Sequence, residues 1–111
     1  MPKNYKEITK ELVPNIRQLH ELQPEAMTGF NQLAKESMKD GALSEKTKEF
    51  VALAIGITQG CDGCIGFHIK NLKRLGATKE EIAELLAVCT YMGGGPALMY
   101  SANALGAWED F

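Results

Sequence analysis

Four residues of this 111-residue chain have the types and spacing to do chemistry together: Glu49, Cys61, Cys64 and His68. Cys61 and Cys64 form a C-x-x-C pair, so on one helical turn both sulfurs face the same way. His68 follows Cys64 at the (i, i+4) spacing, which stacks the imidazole over the Cys64 sulfur. A thiol is a poor nucleophile until it is deprotonated, and two devices for that are at hand. One is the set of unpaired N–H groups at a helix start beside Cys61; the other is the base His68. A sulfur that attacks a peroxide becomes a sulfenic acid, and the neighbouring thiol condenses with it to a disulfide. A separate thiol or dithiol reductant must then reopen that bond. Glu49 shares a helix face with Leu53 and Ile57, and a carboxylate buried on such a face needs a partner. His68 is the expected partner, and Glu49 would orient it and raise its basicity. The base favours Cys64 as the activated thiol and the helix terminus favours Cys61, so the order of attack stays open.

Other chemistries draw on the same residues. A structural zinc site would use Cys61, Cys64, His68 and a fourth ligand, but zinc modules usually space two ligand pairs apart and only one pair exists here. A cofactor-free decarboxylase of a small acidic lactone would use Glu49 and His68 for acid–base work and leave the cysteines as bystanders. Glu49 also reads as an acid near a helix start, favourable to the macrodipole. A thioredoxin frame requires a strand running into the C-x-x-C, and Phe50 to Gln59 reads as a helix instead. Cys89 falls on a core stripe as a small hydrophobe, His20 is expected at the surface, and Tyr91, Met92, Met99, Tyr100 and Trp108 are expected to pack. No metal and no cofactor is expected.

The elements that position the four residues follow from the punctuation of the chain. Asn4 to Glu21 is amphipathic, with Ile8, Leu12, Ile16 and Leu19 at helical spacing and an interruption or kink expected at Pro14. Pro24 opens a second helix to about Lys39, with Met27, Phe30, Leu33, Ala34 and Met38 as its apolar positions, stopped by Asp40–Gly41. Ser44 caps a third helix whose Phe50–Ile57 stretch is apolar almost all round, which predicts a central, buried position. A fourth helix begins near Cys61 or Asp62 and continues to Leu75, with Gly76 as its C-terminal stop. Thr78 and Glu81 form a capping box for a fifth, with Ile82, Leu85, Leu86, Cys89 and Met92 as its core stripe. Gly93–Gly94–Gly95 breaks it, and Pro96 opens a sixth helix rich in small residues, read as part of a subunit interface because small side chains let another helix approach. No segment alternates with period two, so the fold class is all-α, one domain over residues 1–111, of about six helices.

Composition sets the outer limits. Hydrophobic residues make up 45% of the chain and charged residues 23%, as in ordinary globular domains. A formal net charge of -2, without a basic cluster, predicts no nucleic-acid partner and no membrane-surface helix. Met1 to Leu12 is polar rather than signal-like, and no run approaches the ~20 apolar residues of a membrane span, so a cytoplasmic protein is expected. The three cysteines, an odd number, argue against a disulfide framework.

With these motifs in view, the sequence resembles the carboxymuconolactone decarboxylase / alkyl hydroperoxidase D (AhpD-like) family. The resemblance runs from about Ser44 to the C-terminus, through Glu49, Cys61-Asp62-Gly63-Cys64-Ile65-Gly66-Phe67-His68, Gly76-Ala77-Thr78, Glu80-Glu81-Ile82 and Tyr91-Met92-Gly93-Gly94-Gly95-Pro96-Ala97. It implies an all-helical fold assembling as a homo-oligomer, trimer or hexamer. It also implies a cysteine-based peroxidase or disulfide reductase acting on a small hydroperoxide or disulfide, with an external reductant. In the family a proton relay runs from the glutamate through the histidine to the second cysteine, which carries over to Glu49, His68 and Cys64, with Cys61 as the other half of the disulfide. The alkyl hydroperoxidase D branch carries a histidine just before the second cysteine, where this chain has Gly63. The decarboxylase branch proper lacks the cysteine pair.

Overall fold

The computed structural model describes residues 3–111; Met1 and Pro2, the first residues of the polar N-terminal stretch, lie outside it. The described residues form five helices and no strand: α1 (Tyr5–Leu22), α2 (Pro24–Met38), α3 (Glu45–Gln59), α4 (Asp62–Arg74) and α5 (Lys79–Asp110). The all-α expectation holds, and the difference from six helices has a local cause. α5 joins the fifth and sixth expected segments across Gly94, whose backbone (φ 73°, ψ -154°) is not helical. α1 also runs on through Pro14 as one helix rather than two.

Side chains cap four of the five helix starts, three of them with oxygen. Asn4 accepts the N–H of Glu7 and Ser44 that of Thr47, while Thr78 and Glu81 complete the expected capping box. Cys61 caps α4 with sulfur rather than oxygen.

α4 is the centre of the molecule, packed by α1, α3 and α5, whereas α2 touches only α1 and α3. Leu53 and Ile57 of α3, Ile65, Ile69 and Leu72 of α4, Ile82 and Leu86 of α5 and Tyr5 of α1 form the buried cluster. Burying a Leu or Ile side chain contributes roughly 1.5–3 kcal/mol, so this interlock of four helices holds the fold.

Several apolar positions lie outside that cluster. α2 buries none of its residues, and Phe30 and Leu33 on it are each 64% exposed. Ile16 and Leu19 of α1, Val51 and Ile55 of α3 and Met92 of α5 are exposed as well. α3 is thus central on one face and open on the other. His20 is half-buried rather than fully at the surface. Of the small residues of the last segment, Ala97, Ser101, Ala104 and Ala107 are buried within this chain, while Ala102 and Gly106 are exposed. By length and composition α5 is a helix that could cross a membrane, contrary to the expectation that no run would approach that size, although it is broken at Gly94 and one of its faces is in the core.

Leu53→Ala should lower the unfolding free energy by about 2–5 kcal/mol in urea titrations, the usual cost of a cavity in a core this closed. Phe50 lies only at the edge of the cluster, so Phe50→Leu should cost clearly less in the same measurement.

Candidate active site

The site is built on the turn between α3 and α4. α3 ends at Gly60 in a left-handed conformation (φ 66°, ψ 40°). A Cβ there would also come within 3.1 Å of the Tyr100 ring, so both the backbone and the packing require glycine. The N–H of Cys61 then bonds the Gly56 carbonyl at 2.9 Å, which closes the turn and folds α4 back along α3. The two helices come very close. A Cβ on Gly56 would stand 3.0 Å from the Cβ of Cys64.

Cys61 is the N-cap of α4, and its Sγ accepts the backbone N–H of Cys64 at 3.1 Å. This is the position where helix N–H groups stabilise an anion, so reduced Cys61 is favoured as a thiolate there. Cys61 and Cys64 are joined as a disulfide, with Cα atoms 5.2 Å apart. Both residues are half-buried.

The return of α4 along α3 brings Glu49 and His68 together. Glu49 is only 4% exposed, and its Oε2 lies 2.6 Å from His68 Nδ1. Its other oxygen, Oε1, accepts the Asn71 side-chain N–H at 3.2 Å. Both carboxylate oxygens are therefore satisfied, as a buried carboxylate requires. With Nδ1 directed to the carboxylate, Nε2 is the nitrogen left for proton exchange. The imidazole is more open than its partner, with 26% of the side chain exposed against 5% for Glu49.

All four residues singled out in the sequence thus fall on two packed helices and the turn between them. Asn71 was missed. Its signal is the series Cys64, His68, Asn71, which recurs at helical spacing on one face of α4. Asp62, between the cysteines, was also passed over; its oxygens bond Lys3 and Tyr5, more than fifty residues earlier.

Gly63, the other intervening residue, lies under α1. A Cβ there would stand 2.8 Å from Cδ1 of Leu12, so a larger side chain would have to displace that leucine. A cleft of ≈ 240 Å³ opens beside the turn, lined by Gln59, Gly60, Pro96 and Tyr100 among others. A larger groove of ≈ 640 Å³, walled by Lys6, Lys10, Lys70 and Phe67, contains none of the four site residues. Among the described residues no group of three or more His, Cys, Asp or Glu side chains is placed to hold a metal ion. The remaining thiol, Cys89, is buried, and burial pushes its ionisation up from the ordinary thiol range.

The model of the carboxymuconolactone decarboxylase family matches residues 24–107. Among curated proteins, an uncharacterised protein of Cupriavidus necator is 41% identical over 91 residues, covering 82% of this chain and 80% of that protein. Uncharacterised protein 4 in the cox locus of Paracoccus denitrificans is 36% identical over 81 residues, covering 73% of each. Among solved structures, an apo carboxymuconolactone decarboxylase family protein from Legionella pneumophila superposes with a TM-score of 0.94 at 48% identity, covering 96% of both chains. A protein from Thermotoga maritima superposes with a TM-score of 0.76 at 29% identity, covering 96% of this chain and 91% of that one.

The contrast among the three thiols is directly measurable. After reduction, iodoacetamide at pH 8 should label Cys61 and Cys64 in the folded protein and leave Cys89 unlabelled until denaturant is added, as read by peptide mass spectrometry. Labelling of Cys89 at the rate of the other two would contradict its burial.

Proposed function

This chain belongs to the carboxymuconolactone decarboxylase family, and from that premise we propose that it is a thiol-dependent oxidoreductase cycling between the Cys61–Cys64 dithiol and its disulfide. Its substrate is a small hydroperoxide or disulfide. The observation that carries this reading is the nearly buried Glu49 holding the imidazole that follows an oxidisable cysteine pair by one helical turn.

The cycle balances with these groups alone and an external dithiol. His68 Nε2 takes the proton of Cys64, and Glu49 steadies the resulting imidazolium through Nδ1. The thiolate attacks the outer peroxide oxygen. The O–O bond breaks, the alcohol leaves with the returned proton, and Cys64 becomes a sulfenic acid. Cys61, whose sulfur is held at the helix terminus, attacks that sulfur and expels water, forming the disulfide present in the structure. Two thiol exchanges with the external dithiol restore the pair and oxidise the reductant. The cleft beside Gly60 gives a small substrate an approach to the turn that carries Cys61.

Under the same proposal the working unit is a homo-oligomer, trimer or hexamer, in the cytoplasm. Support comes from the apolar side chains left open on a single chain: Phe30 and Leu33 of α2, and Tyr91, Met92 and Met99 of α5. Side chains of this size in contiguous patches mark interaction surfaces. A reducing compartment also suits a dithiol that must be reopened and a free Cys89.

Purified protein with dithiothreitol should consume cumene hydroperoxide. Cys64→Ser should abolish turnover, Cys61→Ser should leave a sulfenic acid trappable by dimedone, and Glu49→Gln should reduce the rate by about 10²–10⁴-fold, the usual worth of acid–base assistance. Unchanged turnover in Cys64→Ser would overturn the assignment. Decarboxylation of an acidic lactone that survives replacement of both cysteines would instead establish the acid–base reading of Glu49 and His68.

Sedimentation at micromolar concentration checks the assembly. The expected species is three or six times the 12.1 kDa chain mass, and a monomer would overturn the oligomer.

A further inference from the structure

We propose that Asp62 is a positioning residue whose charge, held in place by Lys3 and Tyr5, sets how readily the Cys61–Cys64 disulfide is reduced. The inference rests on the dithiol cycle proposed above and goes beyond it, because it assigns a role to residues outside the glutamate–histidine–cysteine set.

Asp62 is the first residue of α4 and stands between the two sulfurs in sequence. Its Oδ1 accepts the Tyr5 hydroxyl at 2.9 Å, and its Oδ2 accepts Lys3 Nζ at 2.8 Å. The clamp is itself anchored. Tyr5 is 1% exposed, and its backbone N–H donates to Oδ2 of Asp110, the last residue of α5, at 2.7 Å. Lys3 also lies over the Tyr100 ring, 5.2 Å from its centroid. Burial first, and then the Asp62 hydrogen bond, hold the Tyr5 phenol protonated well above its usual range, so it remains a donor. Lys3 and the first residue of α1 therefore meet at the carboxylate between the cysteines, and α5 holds both of them from behind through Tyr100 and Asp110.

The electrostatic consequence has a definite sign. Reduction of the disulfide places a thiolate at the N-terminus of α4, where Asp62 already sits as an anion. Two anions at one helix terminus repel, so Asp62 opposes reduction. Lys3 and the Tyr5 hydroxyl draw that charge off and favour reduction. The other charged and titratable groups that touch this clamp are Tyr100 and Asp110 of α5, and the Glu49–His68 pair lies further along α3 and α4. None of these bonds Asp62.

Opposite changes of charge should therefore act in opposite directions, which a purely structural role would not produce. The protein disulfide is equilibrated with glutathione at pH 7 and low ionic strength, where two glutathione thiols are oxidised to one glutathione disulfide for each dithiol formed. Asp62→Asn should raise the equilibrium constant for reduction about three- to tenfold, and tenfold corresponds to ~30 mV. Lys3→Met should lower it, and Tyr5→Phe, which keeps the buried ring, should lower it less. The pH midpoint for alkylation of the reduced pair, read peptide by peptide, should fall in Asp62→Asn and rise in Lys3→Met. Equal constants in all variants, or a shift of the same sign in Asp62→Asn and Lys3→Met, would overturn the role of Asp62 and leave the dithiol cycle standing. A disulfide that neither glutathione nor dithiothreitol reduces in the unaltered protein overturns both.

Discussion

The carboxylate of Glu49 imposes the strictest constraint on this fold. It lies on the inner face of α3, one turn before Leu53 and two before Ile57, and is almost wholly removed from water. A buried carboxylate left with one partner removed costs about 3–5 kcal/mol, so the chain is held to arrangements that satisfy both oxygens. Both partners, His68 and Asn71, come from the same face of α4. That choice fixes the register of α4 against α3. The register in turn sets Gly56 against Cys64, and the absence of a side chain at Gly56 lets the two helices close at the level of the dithiol. The polar pair and the close helix contact are two readings of a single alignment.

How much of this was legible in the sequence depended on distance along the chain. Cys61, Cys64 and His68 lie within two turns of one helix, where spacing alone fixes which residues share a face. Glu49 was legible because a charge on a stripe with Leu53 and Ile57 has to be answered by something. Asn71 obeys the same spacing as His68, but an amide at a half-buried helical position carries no demand that a sequence displays. The clamp on Asp62 could not be read at all. Lys3 and Tyr5 meet it only because α1 packs on α4, and nothing local in either segment points to the other.

Apolar periodicity was informative about helices and uninformative about neighbours. Phe30, Leu33 and Met92 have the spacing of core residues, yet a single chain offers them nothing to pack against. The reverse holds for Ala97, Ser101, Ala104 and Ala107, whose small size serves close packing inside the chain. Periodicity marks a face that seeks cover; it does not say whether the cover comes from the same polypeptide. The kink at Gly94 likewise separates two helical segments as their composition indicates, while leaving them joined end to end.

The burial of Cys89 has a consequence for the fate of the chain under oxidation. Three thiols permit three intramolecular pairings, and the proposed cycle, which passes through a sulfenic acid, would put each of them at risk. Here the third sulfur is shut in the core, away from the turn that carries the other two and poorly ionised there. Disulfide formation within the chain consequently has one product, the Cys61–Cys64 bond. A burst of oxidant leaves the molecule in a state that a single reductant can reverse, rather than in a mixture of isomers that would need to unfold before they could be sorted.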